Sequence, residues 1–439
     1  MFINRIDELK ILEDEYQKNN ATFSVIYGRR RVGKTALISQ YILNKPHIYL
    51  YATEGNLAGQ LKSFSSEIVK LLDISYAQNI EFKTFEEVFT FLSTLELKQK
   101  LILVIDEYQN LCKLDNAFSS TLQKIWDMKL SSSNIHLILC GSVLSMMHSE
   151  VLAYDAPLYG RRTSNIHLKA VKFRYLKEFL PTLSKLDLMS VYASFGTIPK
   201  YLQLFDETKS IEDNFRDNIL NKNSYLYSEG NFLLKQEIND VGSYFAILES
   251  ISKGNTKVGK ISATLGVNSS YLPKYLNKLI ELDILVKEIP ITESSPLKSK
   301  LGRYRIKDKF LNFWFYYIYK NYSYLEINQD QIVIDEINKN FNDRFVSFAF
   351  EDFVLEDILH EPLKYLDFIP KKVGRWWNNK EEIDLIAMDD KHICFIECKW
   401  QNRVDKKSVE IDLIRKSTLI NEDKKRSYLI ITKDDFLNY

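Results

Sequence analysis

Cysteine is nearly missing from this 439-residue chain, with only Cys112, Cys140, Cys394 and Cys398. No two of them form a Cys-x2-Cys pair, so neither a disulfide framework nor a thiolate zinc site is indicated. Two lie inside apolar, strand-like runs, and together they read as buried thiols of a reducing compartment. Glycine and proline are also few, 14 and 9, whereas lysine and asparagine are plentiful, a balance that suggests an AT-rich genome. No internal repeat or low-complexity tract stands out. No apolar run reaches the roughly 18 residues needed to cross a bilayer. The opening MFINRIDELK lacks the basic, apolar and small-residue succession of a secretion signal, which points to the cytoplasm. Neither sign of charge dominates: 59 Lys and Arg face 58 Asp and Glu, a net +1. A strongly basic protein is thereby excluded, and any nucleic-acid surface has to be local.

What remains is the composition of a soluble globular protein, 45% hydrophobic and 27% charged, long enough for two or three domains. Its most informative stretch follows the apolar run Phe23 to Tyr27. Gly28, Arg29, Arg30, Arg31, Val32, Gly33, Lys34 and Thr35, continued by Ala36, have the spacing G-x4-G-K-T. Such a loop turns its backbone N–H groups towards the β- and γ-phosphates of a nucleotide. Lys34 adds a point charge, and the Thr35 hydroxyl is left for Mg²⁺. A helix from Lys34 to Leu43 would aim its positive end at the same phosphates.

About 70 residues further on, the run Leu101 to Ile105 ends in Asp106 and Glu107. Five apolar residues in succession fit a central strand covered on both faces. Carboxylates at its carboxyl end would sit in the ligand crevice of an α/β sheet. Asp106 is suited to hold magnesium through its hydration shell, and Glu107 to polarise the attacking water. Another strand, Ile135 to Cys140, ends at Gly141 and Ser142, where additional-strand P-loop ATPases keep a polar γ-phosphate sensor. Arg161 and Arg162 precede the alternating segment Ile166 to Leu168, and either could supply a guanidinium to the γ-phosphate.

Strands expected at Phe23 to Tyr27, His47 to Tyr51, Leu101 to Ile105, Ile135 to Cys140 and Asn165 to Leu168 alternate with helices, so the sheet should be mostly parallel. Residues 1–170 read as the ATPase core. Strand signals stop in 171–240, read as a helical lid. In 241–320, helices at Tyr244 to Lys253, Val258 to Leu265 and Ser269 or Ser270 to Leu282 are followed by β-pieces at Ile284 to Ile291 and Gly302 to Ile306. That order is the outline of a winged helix-turn-helix. Between Tyr244 and Lys307 eleven Lys and Arg face five Asp and Glu. Ser269, Ser270, Tyr271 and Lys274 would head a DNA-recognition helix. The aromatic run Phe310 to Tyr319 reads as a buried connecting helix.

A second chemical centre is expected in 321–439. Glu382 to Ala387 and His392 to Trp400 read as two strands joined by an acidic turn. Residues two apart in a strand share a face, so Glu397 and Lys399 project together, with Asp384 on the neighbouring strand. Asp384 and Glu397, with Glu351 from the helix Phe341 to Leu359, would hold a metal. Lys399 would orient or deprotonate water.

Taken together these motifs resemble the archaeal-type P-loop ATPases of the STAND/AAA+-like group that carry a winged helix and a C-terminal PD-(D/E)xK nuclease-like domain. The resemblance rests on Phe2-Ile3-Asn4-Arg5, the phosphate loop, Ile105-Asp106-Glu107 and Gly141-Ser142. It extends through Pro157 to Arg162, Gly196 to Tyr201 and Glu397-Cys398-Lys399. It implies that Asn4 and Arg5 lie near the adenine, and that the C-terminal domain is a mixed sheet flanked by helices. The expected fold is therefore multidomain α/β. The expected function is an ATP- and Mg²⁺-using switch coupled to DNA binding and metal-dependent cleavage. The partners expected are ATP and DNA, with a homo-oligomer or protein partner also open and no membrane. The rival expectations are a non-cutting STAND-type signalling ATPase and a nucleotide-gated winged-helix regulator.

Overall fold

The computed structural model describes residues 2–72, 81–95, 98–238 and 240–438. They form two compact units: residues 1–171 with 198–200, and residues 172–197 with 201–439. The first unit is built on five strands, β1 (Thr22–Tyr27), β2 (His47–Tyr51), β3 (Leu101–Asp106), β4 (Ile135–Gly141) and β5 (Ser164–His167). All pair in parallel, in the order β2-β3-β4-β1-β5. Along β3, Leu101, Leu103 and Ile105 enter one core with Phe23, Phe85, Phe89 and Phe118. Ile102 and Val104 enter the opposite core with Leu37, Ile38 and Tyr41. Period-2 alternation with both faces buried is why this strand is apolar from Leu101 to Ile105.

The second unit starts with short helices, among them Lys185–Ser194, whose Ser184 side chain accepts from the Asp187 amide. Three helices follow: Val241–Ser252, Val258–Leu265 and Leu272–Glu281, the last preceded by a 3₁₀ turn at Ser269–Tyr271. Gly266, at φ 65°, ends the middle helix in the left-handed conformation that other residues resist. Asn268 then caps the next turn by accepting from the Ser270 amide at 3.0 Å. An antiparallel hairpin completes this part, β6 (Leu285–Glu288) with β7 (Arg303–Ile306). Strand β6 stops short of the expected Ile291 because Pro290 offers no N–H to extend the ladder. Of the aromatic run, Phe310, Phe313, Trp314, Phe315 and Tyr317 are all buried.

The C-terminal sheet has the order β11-β10-β9-β8, built from β8 (Lys372–Trp377), β9 (Glu382–Met388), β10 (His392–Lys399) and β11 (Lys425–Thr432). Strands β8, β9 and β10 are antiparallel neighbours, and β11 runs parallel to β10. The helix Ser347–His360 precedes the sheet, and the helix Lys406–Ser417 makes the crossover from β10 to β11. No helix among the described residues is long and apolar enough to cross a membrane, and all four cysteines are free and buried.

A half-buried ionic network ties the β6–β7 hairpin to the C-terminal sheet. Arg305 pairs with Glu288 and Asp352, each at 2.7 Å. Arg375 on β8 reaches Asp352 at 2.8 Å, and Glu288 and Glu351 each at 3.2 Å. Lys309 also contacts Asp352. Burial alone would raise the Asp352 carboxyl, but Arg305, Lys309 and Arg375 outweigh it and hold it well below the usual range. Removing one member strands the others without a counter-charge. Asp352→Ala should therefore lower the stability of this unit by about 3–5 kcal/mol. A depressed carboxylate stabilises the fold above its unfolded pKa and loses that contribution on acidification. The difference between variant and parent should thus narrow below about pH 4. Urea unfolding read by tryptophan fluorescence checks both, since Trp314, Trp376, Trp377 and Trp400 lie here and Trp126 alone lies in the other unit.

Candidate functional site

The order of the parallel strands assembles the first centre. β4 lies between β1 and β3, so Ser142, just beyond β4, stands between the loop after β1 and the acids ending β3. The helix Lys34–Ile42 begins directly behind that loop. A side chain at Gly28 would meet the Leu168 carbonyl oxygen at 2.2 Å, so only glycine lets the loop leave the sheet here. Lys34 is 6% exposed, and burial lowers its pKa. Its Nζ folds back on the loop, donating to the carbonyls of Gly28 at 2.8 Å and Arg29 at 3.1 Å. Thr35 Oγ1 donates to Asp106 Oδ2 at 3.3 Å. The same oxygen accepts from the Tyr49 hydroxyl, while Oδ1 accepts from the Glu107 amide at 2.9 Å.

Glu107 has a left-handed backbone, φ 53°, a conformation that costs a residue with a side chain about 1–3 kcal/mol. Its Oε2 accepts from Ser142 Oγ at 2.7 Å and from the amide of Gln109. Gln109 also donates to Ser142 at 3.3 Å. Asp106, Gln109 and Ser142 are all buried. The structure therefore brings Lys34, Thr35, Asp106, Glu107 and Ser142 to one place, with Tyr49 and Gln109 as members that sequence reasoning missed.

Arg29, Arg30 and Arg31 stay half-buried on the loop; Val32 is buried, and Thr35 and Ala36 are exposed at its mouth. Asn4 and Arg5 both have positive φ, 62° and 76°. Arg5 is buried and donates to the carbonyls of Val32 at 2.9 Å and Lys169 at 2.7 Å, so it braces the loop from behind. Arg161 and Arg162 are placed elsewhere. Thr163 donates to the Phe23 carbonyl, and Ser164 pairs with Ser24, at the amino ends of β5 and β1. Because these strands run parallel, both arginines lie at the opposite edge of the sheet from the loop, roughly 15–20 Å away along β1. Arg161 there pairs with Asp127 at 3.0 Å, and Arg162 donates to the Val151 carbonyl at 3.2 Å. The expectation that they approach the γ-phosphate within the same chain is corrected by the direction of β5.

In the C-terminal sheet Asp384 Oδ2 accepts from the Cys398 amide at 2.8 Å. Lys399 Nζ donates to Glu397 Oε1 at 2.7 Å, and Lys416 from the crossover helix stands 3.7 Å from that oxygen. The other Glu397 oxygen is buried with no hydrogen-bond partner. Burial, then the neighbouring Glu397, push the Asp384 carboxyl up to about 6. Burial, then Asp384, push Glu351 up to about 8, although Arg375 opposes this by holding Glu351 Oε2 at 3.2 Å. Among the described residues no group of three His, Cys, Asp or Glu side chains could hold a metal ion. Glu351 does not complete the expected acidic set, because Arg375 draws it into the ionic network. What stands together is Asp384, Glu397 and Lys399, with Lys416 the residue missed. A buried carboxylate oxygen without a partner, next to a carboxyl whose charge is disfavoured, is the donor set that a divalent cation would relieve.

The expected recognition residues Ser269, Ser270, Tyr271 and Lys274 are all exposed. The Tyr271 hydroxyl meets Ser243 at 3.2 Å and also Tyr275.

Comparison with known proteins agrees with the first centre. Residues 2–205 match a family described as an ATPase domain predominantly from Archaea. Residues 314–415 match another, described as Archaea bacterial proteins of unknown function. An uncharacterized protein of Methanocaldococcus jannaschii is 38% identical over 439 residues, covering 99% of this chain and 96% of its own length. An uncharacterized ATP-binding protein of that organism is 51% identical over 45 residues, 10% of this chain and 76% of its own. The solved Walker-type ATPase of Pyrococcus abyssi shares the fold at a TM-score of 0.55 and 19% identity, covering 72% of this chain and 96% of that one.

The raised Asp384 carboxyl gives a pH signature that needs no metal. A folded pKa of about 6 against 3.8 means that the folded state holds its proton more tightly than the unfolded state. Stability should therefore fall as pH rises from about 4 to 6 and stay reduced above. In EDTA, Asp384→Asn should be more stable than the parent at pH 8 by up to about 3 kcal/mol. The gain should vanish below about pH 4. Urea unfolding at a series of pH values reads this out, and a pH-independent difference would exclude it.

Proposed function

This chain belongs to the family of that Methanocaldococcus jannaschii protein and carries an archaeal-type ATPase domain at its head; from that premise we propose that it is an ATP-hydrolysing switch coupled to DNA binding and to cleavage at the C-terminal sheet. The observation that carries the reading is the closed chain of contacts from Thr35 through Asp106 and Glu107 to Ser142. Lys34 donates to two carbonyls of its own loop, and phosphate oxygens of ATP would take their place. Thr35 and Asp106 would hold Mg²⁺, which supplies charge neutralisation at the β- and γ-phosphates. Glu107 has one carboxylate oxygen occupied by Ser142 and Gln109. The other is left to accept a proton from the attacking water.

The three helices and the β6–β7 hairpin have the order of a winged helix, and the C-terminal strands have the mixed order proposed for a PD-(D/E)xK nuclease. There Asp384 and Glu397 would hold a divalent cation, and Lys399 would orient water towards a phosphodiester. In that hydrolysis the water oxygen bonds to phosphorus, the bond from phosphorus to the departing sugar oxygen breaks, and that oxygen takes up a proton. One observation favours the rival, a non-cutting signalling ATPase: Glu351 is held by Arg375, leaving two carboxylates instead of three.

Purified protein is tested for ATP binding, ATP hydrolysis and nicking of supercoiled plasmid in Mn²⁺. Lys34→Ala should lose ATP binding. Glu107→Gln should bind ATP yet hydrolyse it about 100-fold or more slowly. Glu397→Ala should abolish nicking while leaving hydrolysis intact. ATP turnover that survives Lys34→Ala would sink the switch, and nicking that survives Glu397→Ala would move the reading to the signalling ATPase.

A further inference from the structure

A cavity of about 340 Å³ opens between the β6–β7 hairpin and the C-terminal sheet, and Asp384 and Glu351 are part of its wall. Its other walls carry Arg303, Arg344, Phe348 and Trp377. We propose that this cavity is a pocket for one unpaired nucleotide, so that the substrate class of the C-terminal centre is single-stranded DNA. The inference rests on the nuclease reading of Asp384 and Glu397 and adds to it the form of the substrate.

The argument starts from size. Cavities of a few hundred Å³ hold small molecules, and base-paired strands side by side do not fit into one. A nucleotide has to leave its stack to enter. The walls then offer what an unstacked base requires: a flat apolar face and a flat cation. Phe348 is 53% exposed, whereas Phe350 and Phe353 of the same helix are buried. Arg303 lies over the Trp377 ring, 4.5 Å from its centroid, and is fixed sideways by Glu382 at 3.0 Å. Trp377 is itself pinned by its indole N–H, which donates to the Leu301 carbonyl at 2.9 Å. The guanidinium is thus held over the indole by two contacts, on the cavity wall and 28% exposed. Arg344, fixed by the Ser252 carbonyl at 2.6 Å, adds a cation for the backbone. A strand whose base enters here brings its phosphodiester towards Asp384. The arginines of β7 and β8 nearest the carboxylates are already neutralised within the ionic network, so stacking, more than charge, sets the preference.

The test is fluorescence anisotropy in EDTA, with a labelled 12-nucleotide oligothymidylate and a duplex of equal length, on the full chain. Phe348→Ala should weaken single-strand binding about 5- to 100-fold, as loss of one stacking face does. Phe348→Tyr should restore it, and duplex binding should be unchanged by either. Unaltered tryptophan-monitored unfolding shows that the exposed Phe348 is not a folding determinant. Equal single-strand affinity for parent and Phe348→Ala overturns the pocket. A parallel Mn²⁺ digestion of single-stranded and relaxed duplex circles separates the two readings. Phe348-dependent binding with neither circle cut leaves the pocket standing and removes the nuclease. Cutting of both circles alike, with Phe348→Ala still binding fully, keeps the nuclease and removes the pocket.

Discussion

A charge taken out of water persists in a fold only where opposite charges or hydrogen bonds close around it, and the charged clusters of both units are shaped by that constraint. In the first unit Lys34 is almost wholly buried and turns to the carbonyls of its own loop, while Asp106 accepts from Thr35, Tyr49 and the next amide. This is the arrangement of a site whose polar groups are satisfied at rest by partners that a triphosphate can replace. The left-handed backbone of Glu107 belongs to the same logic. It turns the carboxylate towards Ser142, and the hydrogen bonds made there offset the strain.

In the second unit the same constraint produces a different outcome. Three cations, Arg305, Lys309 and Arg375, and three acids, Glu288, Glu351 and Asp352, form one network drawn from the hairpin, the connecting helix, the helix Ser347–His360 and β8. Separating the hairpin from the sheet would leave several of these half-buried charges unpaired, which opposes their moving apart. A switch that slid the hairpin over the carboxylate pair would have to break that network first. The network also sets the composition of the C-terminal centre. Arg375 attracts Glu351 while Asp384 repels it, which leaves Asp384 and Glu397 as the pair.

What could be read from residue order followed from how local each determinant is. The loop between Gly28 and Thr35 is contiguous, and β3 is apolar from Leu101 to Ile105 because both its faces are covered, so each was legible. The helix, helix, helix and hairpin succession of residues 241–306 was legible for the same reason. Strand β8 was not, because Lys372, Gly374 and Arg375 break its pattern, and β11 was not recognised as the partner of β10. Tyr49 and Gln109 reach their acids through strand register and a local turn that no motif marks. The positions of Arg161 and Arg162 depend on the direction of β5, which pairing decides and spacing does not. Glu351 was placed correctly in its helix, but its ion pair with Arg375 was not foreseen, since an ion pair between a helix and a strand leaves no period in the sequence.

The local surplus of positive charge in residues 244–307 shows the same difference between a count and a structure. The surplus drew attention to the hairpin, yet Arg303, Arg305 and Lys307 on and after β7 all pair with acids, two of which, Asp352 and Glu382, lie outside that window. Lys253 and Lys278 pair with acids of their own helices. The lysines left exposed are Lys260 and Lys274 on the helices, with Lys298 and Lys300 in the loop between β6 and β7. A phosphate backbone would therefore meet helix faces and the loop tip, while the strand face of the hairpin belongs to the cavity wall. On the proposed reading, charge on the outside would hold a nucleic acid and flat surfaces on the inside would select an unpaired nucleotide from it.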